Sequence, residues 1–338
     1  MKTIAFFNNK GGVGKTTLVY HVSAMFAELG LRVLAVDLDP QANLTSMCVN
    51  DDEFEGLWPQ GAHSCTLLGA IQPIIDGTGD IHAVEPYPLA FNPRLGLLPG
   101  DLGLTVFEDE LALAWPRVVD RRIDSLRSTT AFARVISDTA GRWEADVILI
   151  AVGPDLGALN RAALICAEHV VVPLAPDLFS LQGLRNLGPT LRAWRREWQD
   201  RRERNVAAPL TVPEGAMNPL GYVVTQHAFR ANRPVMAYNR WLEQIPSTYR
   251  RYVLDLADHG ATTVDEDDNR LASLKNYHSL APLAMEARKP MFALRPGDGA
   301  LGAQMYAVRS CYDDFHAVTT TIANRLGIVL PVIYRTAK

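Results

Sequence analysis

A chain of 338 residues, 48% hydrophobic and 21% charged, can bury a large core and fits a single elaborated α/β unit. Its formal net charge of −4 excludes a uniformly basic nucleic-acid binder, though not a local basic patch. Four scattered cysteines, Cys48, Cys65, Cys166 and Cys311, lack C-x-x-C spacing, which favours reduced thiols over a disulfide framework or a zinc site.

In chain order, an apolar strand over 3–8 leads through a glycine-rich loop at 9–15 into a helix over 16–29, which Gly30 stops. Leu18, Val19, Val22, Met25, Phe26 and Leu29 fall at spacings that suit one buried face. A second buried strand, Arg32 to Asp37, closes a βαβ unit with parallel strands and a right-handed crossover. Residues 50–100 are less regular and rich in Gly and Pro, and the stretch 50–145 reads as an insertion. It holds a helix near 65–75, a strand near 95–98, and helices at about 105–114 and 122–137. Further buried strands follow at 146–150, 170–174 and 221–225, with helices at about 180–204 and 302–326. Continuous apolar strands alternating with helices predict a doubly wound, mostly parallel sheet covered on both faces, the α/β class, in one domain spanning 1–338. No leader is expected ahead of the first strand, and no apolar run approaches the roughly 20 residues of a membrane span. A cytoplasmic protein is expected.

The loop Asn9-Lys10-Gly11-Gly12-Val13-Gly14-Lys15-Thr16-Thr17 carries the clearest chemistry. Its glycines let backbone N–H groups curl around phosphate oxygens, and the helix behind it presents its positive end to the same anion. Lys15 reaches β- and γ-phosphates, and the Thr16 hydroxyl ligates Mg²⁺. The general pattern G-x-x-x-x-G-K-[ST] fails only at its first position, Asn9, and a second lysine stands at Lys10. At the end of the second strand lies Asp37-Leu38-Asp39-Pro40-Gln41-Ala42-Asn43. A carboxylate at that sheet edge can hold a metal-bound water or orient a water for phosphoryl transfer.

These two strings resemble the deviant Walker A loop and the switch I motif D-x-D-P-Q-[GA]-N of the ParA/MinD family of dimerising ATPases. The resemblance implies ATP and Mg²⁺ as cofactors, with Gly11, Gly12, Val13, Gly14, Lys15, Thr16 and Thr17 around the phosphates. Lys10 then crosses a homodimer interface to the partner's nucleotide, and Asp39 is the catalytic, metal-facing carboxylate that Asp37 supports. Residues 172–184 are similar to the family's V-P-x-x-P-x-x-x-S-x-x-G-L, and Asn160 falls on its switch II helix. The likeness is tight over 1–45, fair over 146–190, and loose over 50–145 and 226–300, where an unidentified partner would be recognised. After the strand 146–150 the family places an aspartate; this chain has Ala151, which offers no acceptor. Either the lineage has lost the residue or the sequence is a variant altered to bind ATP without turning it over. The intact Lys10, Lys15, Thr16 and Asp39 favour the second. Asp155 lies past the strand end and is expected to point elsewhere. Impaired hydrolysis with retained nucleotide binding follows.

Between 192 and 204 stand six arginines against three acids. Arg192, Arg195, Arg196, Arg201 and Arg202 are candidates for nonspecific DNA contact, with Arg230, Arg233 and Arg240 as further ones, against the alternative of a solvated helix face. The resemblance implies an ATP-dependent switch that partitions DNA or positions cargo, nucleoid association, and a ParB-like stimulator or cargo adaptor as partner. A MinD-like regulator acting on a protein without DNA, and a metabolic ligase, are the alternatives. An iron-sulfur reductase component is disfavoured by the contexts of Cys48 and Cys166. The tail from Gly327, with its proline and two basic residues, suits packing better than a membrane surface.

Overall fold

The computed structural model describes residues 1–57, 63–205, 210–225, 235–257, 262–277 and 279–331. The chain runs β1 (Lys2–Phe6), α1 (Lys15–Glu28), β2 (Val33–Leu38), α2 (Asn43–Cys48), α3 (Asp51–Gly56), α4 (Leu67–Ile75), β3 (Tyr87–Pro88) and β4 (Leu95–Leu98). Next come α5 (Glu108–Arg117), α6 (Ile123–Thr129), α7 (Ala131–Trp143), β5 (Val147–Val152), α8 (Ala158–Leu164), β6 (His169–Leu174), α9 (Leu178–Arg204) and β7 (Asn218–Thr225). The described chain ends with α10 (Val235–Leu242), α11 (Ile245–Thr248), a π-helical turn (Tyr249–Val253), β8 (Arg270–Leu274), α12 (Ala281–Ala287) and α13 (Ala303–Leu326).

Among the described residues the strands form one sheet in the order β3-β4-β2-β5-β1-β6-β7-β8, parallel except for the edge pair β3–β4. Strand residues alternate between two cores, as the two-residue period requires. Ala5, Leu34, Val36, Ile148, Ile150, Val170 and Val172 join the cluster under α5, α7, α8 and α9. Ile4, Phe6, Val33, Ala35, Val147, Leu149 and Val171 join the cluster under α1 and α13. Burial on both faces explains why these strands read as unbroken apolar runs.

The stretch 50–145 contributes to the sheet and to its core. β4 pairs in parallel with β2, and α7 contributes Phe132, Val135 and Ile136 to the core. The single helix expected over 122–137 is two. Thr129 and Thr130 donate their hydroxyls to Ser125 O and Leu126 O, both at 2.8 Å, and hydroxyls that bond the preceding turn disturb a helix. The helix expected at 105–114 starts as a 3-10 segment, Leu102–Phe107, capped by Asp101 Oδ1 accepting from the Gly103 N–H at 2.8 Å. The candidates Arg230 and Arg233, and the end of the apolar tail, lie outside the described residues. No helix among the described residues is long and apolar enough to cross a membrane.

Candidate nucleotide site

β1 ends at the centre of the sheet, between β5 and β6, and the glycine-rich loop follows it directly. Gly12 and Gly14 have φ of +72° and +80°, a left-handed region that side chains with a Cβ enter at a cost of roughly 1–2 kcal/mol. A Cβ added at Gly11 or Gly12 would meet nothing within 4 Å, so the loop is an open cradle. Gly14 is the N-cap of α1 and supplies no side-chain cap. The first N–H groups of α1 therefore face the cradle without an internal partner, which is the arrangement an anion needs.

Lys15 is buried, 8% exposed, and its ammonium donates to Lys10 O at 3.1 Å. Burial pulls its pKa down to about 8, while the negative charges of Asp39 and Asp155 work against that shift. Val13 contributes backbone only: its side chain is in the core, and its carbonyl accepts from Thr225 Oγ1 at 3.1 Å. The same hydroxyl lies 3.2 Å from Leu174 O, so the end of β7 braces the cradle. Thr16 and Thr17 are half-buried at the start of α1.

The two switch aspartates have different surroundings. Asp37 is fully buried; its Oδ2 accepts from the Thr45 N–H and Oγ1, each at 2.8 Å, and its Oδ1 accepts from the Asp39 N–H at 3.2 Å. Burial lifts its pKa to about 7 despite the hydrogen bonds from Thr45. A Cβ at Gly100 would stand 2.9 Å from Asp37 Cγ, so glycine lets β4 close over this pair. Asp39 accepts from the Gln41 N–H at 3.0 Å and from Asn43 Nδ2 at 3.2 Å, and its charge acts on Lys15. Asp37 thus anchors the loop, and Asp39 lies within electrostatic reach of Lys15.

Ala151 pairs with Phe6 and Asp37 across the sheet and is 2% exposed. The strand end beside the cradle therefore carries a buried methyl group and no carboxylate. Asp155 lies three residues past the end of β5. Its Oδ1 accepts from the Gly157 N–H at 2.8 Å, and its charge acts on Lys15. Asn160 is fully buried, donates to Asp155 O at 2.9 Å, and leaves its own Oδ1 without a partner.

Several contacts were invisible to sequence reasoning. The Lys10 ammonium contacts Asp177 Oδ2 and lies 3.5 Å from Ser180 Oγ. Glu108 of α5 accepts from the N–H groups of Ala158 and Leu159 at 2.6 and 2.7 Å, clasping the start of α8. His21 contacts Thr17 O at 2.8 Å through Nδ1 and accepts from the Met291 N–H at 3.0 Å through Nε2.

The arginine patch does not form as expected. Arg201 is 8% exposed and gives its guanidinium to Trp115 O and Glu197 O. Arg192 is spent on Tyr252 O, Val253 O and Asp255, and Arg195 on Met217 O. Charge spacing along a helix does not report which face is buried. Arg196 is exposed and Arg202 half-exposed, so they keep the capacity to meet phosphates, as does Arg240 on α10.

A family model described as an AAA domain matches residues 1–203, the stretch that carries both switch loops and the cradle. The chain belongs to the ParA/MinD family. The chromosome-partitioning ATPase Soj of Thermus thermophilus is 32% identical over 191 residues, covering 56% of this chain and 61% of Soj. Protein DIP2308 of Corynebacterium diphtheriae superposes with a TM-score of 0.69 and 26% identity over 96% of this chain and 99% of that one. McdA from Cyanothece, solved in complex with ATP, shares the fold with a TM-score of 0.59 and 17% identity, covering 98% of this chain and 99% of McdA. The chain spans about half the length of the curated relatives it matches. ParA/MinD proteins are P-loop ATPases, and the cradle described above is the part of the fold that membership accounts for.

Proposed function

We propose that this chain binds ATP with Mg²⁺ and acts as an ATP-dependent dimerising switch of the ParA type. The observation that carries the reading is the open two-lysine cradle on the uncapped N-terminus of α1. Lys15 and the N–H groups of Gly12 to Thr16 would hold the phosphates, and the Thr16 hydroxyl and Asp39 would face Mg²⁺. The metal, when bound, neutralises charge developing on the transferred phosphoryl group. Asp39 orients the attacking water, and Lys10 works on the nucleotide of a second copy. A neighbouring cavity of about 240 Å³, lined by Thr17, Leu18, Thr225, Asn276 and Tyr277 among others, suits the adenine ring.

Turnover is slow in this reading, because Ala151 supplies no acceptor beside the metal. Nonspecific DNA contact in the ATP state would rest on Arg196, Arg202 and Arg240, helped by a doubling of the patch in the dimer. The Thermus relative is named as chromosome-partitioning, which supports DNA over a purely protein partner. Size-exclusion chromatography with light scattering, with and without ATP and with added duplex, tests the reading. ATP should shift the mass from one chain to two and allow salt-sensitive DNA co-elution. A chain that binds ATP and stays monomeric refutes it.

A further inference from the structure

Lys10 has a partner inside its own chain. Its ammonium meets Asp177 Oδ2 and lies 3.5 Å from Ser180 Oγ. The receiving site is firmly built. Asp177 Oδ1 accepts from the Ser180 N–H at 2.9 Å and so caps α9, while Ser180, fully buried, accepts from the Ala175 N–H at 3.2 Å. The donor side is equally fixed. Lys10 N–H donates to Asn8 Oδ1 at 3.0 Å, and Asn8 Nδ2 donates to Pro173 O at 2.7 Å. A Cβ at Gly183 would stand 2.9 Å from Asn9 Oδ1, which brings α9 against the loop.

The side chains of Lys10 and Asp177 are only 26% and 19% exposed, so water screens this pair less than an ordinary surface ion pair. Burial disfavours the Asp177 charge, yet the Lys10 ammonium and the Ser180 N–H outweigh it and hold the carboxyl below its usual range. An ammonium has three donors, and here two point back into its own chain. Reaching outward requires that both be given up.

We infer that Asp177 is a positioning residue for Lys10: it stows the lysine in cis at the start of α9, in competition with the contact Lys10 makes across a dimer. The inference rests on the reading that Lys10 acts in trans. Breaking the cis contact is then part of every dimerisation, and Asp177 sets how much ATP that step demands.

Asp177→Asn tests this, because asparagine caps a helix as well as aspartate does while removing the charge; Asp177→Ser is the second variant, should the first fold poorly. Acetylation of Lys10 in the full chain without nucleotide, quantified by mass spectrometry, should rise several-fold in either variant. The ATP-dependent dimer dissociation constant, read by light scattering, should tighten several-fold, and Lys10→Ala should abolish the gain. Unchanged Lys10 reactivity overturns the stowed contact. Raised reactivity with an unchanged or weakened dimer overturns the gating. A wild-type chain that never dimerises with ATP refutes the trans reading and the gating with it, while the reactivity measurement still decides whether Asp177 holds Lys10.

Discussion

His21 gives the chain a measurable pH signature. It is wholly buried beneath Phe315, with ring centroids 4.7 Å apart, and both ring nitrogens have backbone partners. Because Nε2 accepts the Met291 N–H, the folded imidazole is neutral and carries its proton on Nδ1. Burial lowers its pKa from 6.5 to about 4, only partly opposed by Thr17 O. The unfolded chain takes up this proton first, so the stability His21 contributes is fully present above pH 6.5. It is lost as pH falls toward 4, by about 3 kcal/mol for 2.5 pKa units. Asp37 works the other way. Its pKa rises from 3.8 to about 7, so its share is greatest below pH 3.8 and is lost as pH rises through 7, by about 4 kcal/mol. From pH 8 to 4 the two largely cancel in the wild type. His21→Gln removes one of them. The variant should be destabilised at pH 8 by about 1–3 kcal/mol, the cost of leaving the Met291 N–H buried and unpaired, and should then gain on the wild type by about 3 kcal/mol as pH drops to 4. Urea unfolding at half-unit pH steps reads the difference. Parallel curves for the two proteins would refute the reasoning.

Restoring a carboxylate by Ala151→Asp should raise steady-state phosphate release on the order of 10²-fold, as for a positioned acid or base, with ATP affinity by calorimetry nearly unchanged. Gly183→Ala forces a Cβ to within 2.9 Å of Asn9 Oδ1, and displacing the loop should weaken ATP binding roughly tenfold, about 1.4 kcal/mol, while the melting temperature moves little. Removing the clasp by Glu108→Ala deprives two N–H groups of α8 of a charged acceptor, a loss of about 2–3 kcal/mol. Amide hydrogen exchange over 157–164 should accelerate accordingly while α1 stays protected.

The cradle and the switch aspartates were legible because each is a contiguous string whose residue types dictate its geometry: glycines for positive φ, a carboxylate at a strand end. The strands were legible through unbroken apolar runs. What was not legible depends on partners far apart in the chain. Asp177 reads as a helix cap until Lys10, 167 residues away, is seen beside it, and Met291 meets His21 across 270 residues. The burial of Arg201 was hidden for a related reason, since it looks like its neighbours in sequence yet faces Trp115. Thr225 had one usable signal, a lone hydroxyl closing an apolar strand beside a glycine-rich loop.

Helix α9 has a mechanical consequence of its own. Its 27 residues make a rod of about 40 Å, with Asp177 at one end and Arg201 near the other. A Cβ at Gly188 would meet Tyr252 O at 1.9 Å, so the rod bears on the π-helical turn as on a fulcrum. A tilt of about 5° there would swing the far end, about 24 Å away, by about 2 Å. At that end Arg201 lies 4.4 Å from the centre of the Trp115 ring, and Arg161 of α8 lies 4.2 Å from it. Trp115 shares α5 with Glu108, which grips the start of α8 and hence the loop carrying Asp155. Lys10, α9, α5, α8 and Asp155 therefore close a circuit that leaves the cradle on one side and returns to Lys15 on the other. That chain of contacts runs over the helices and does not pass through the sheet.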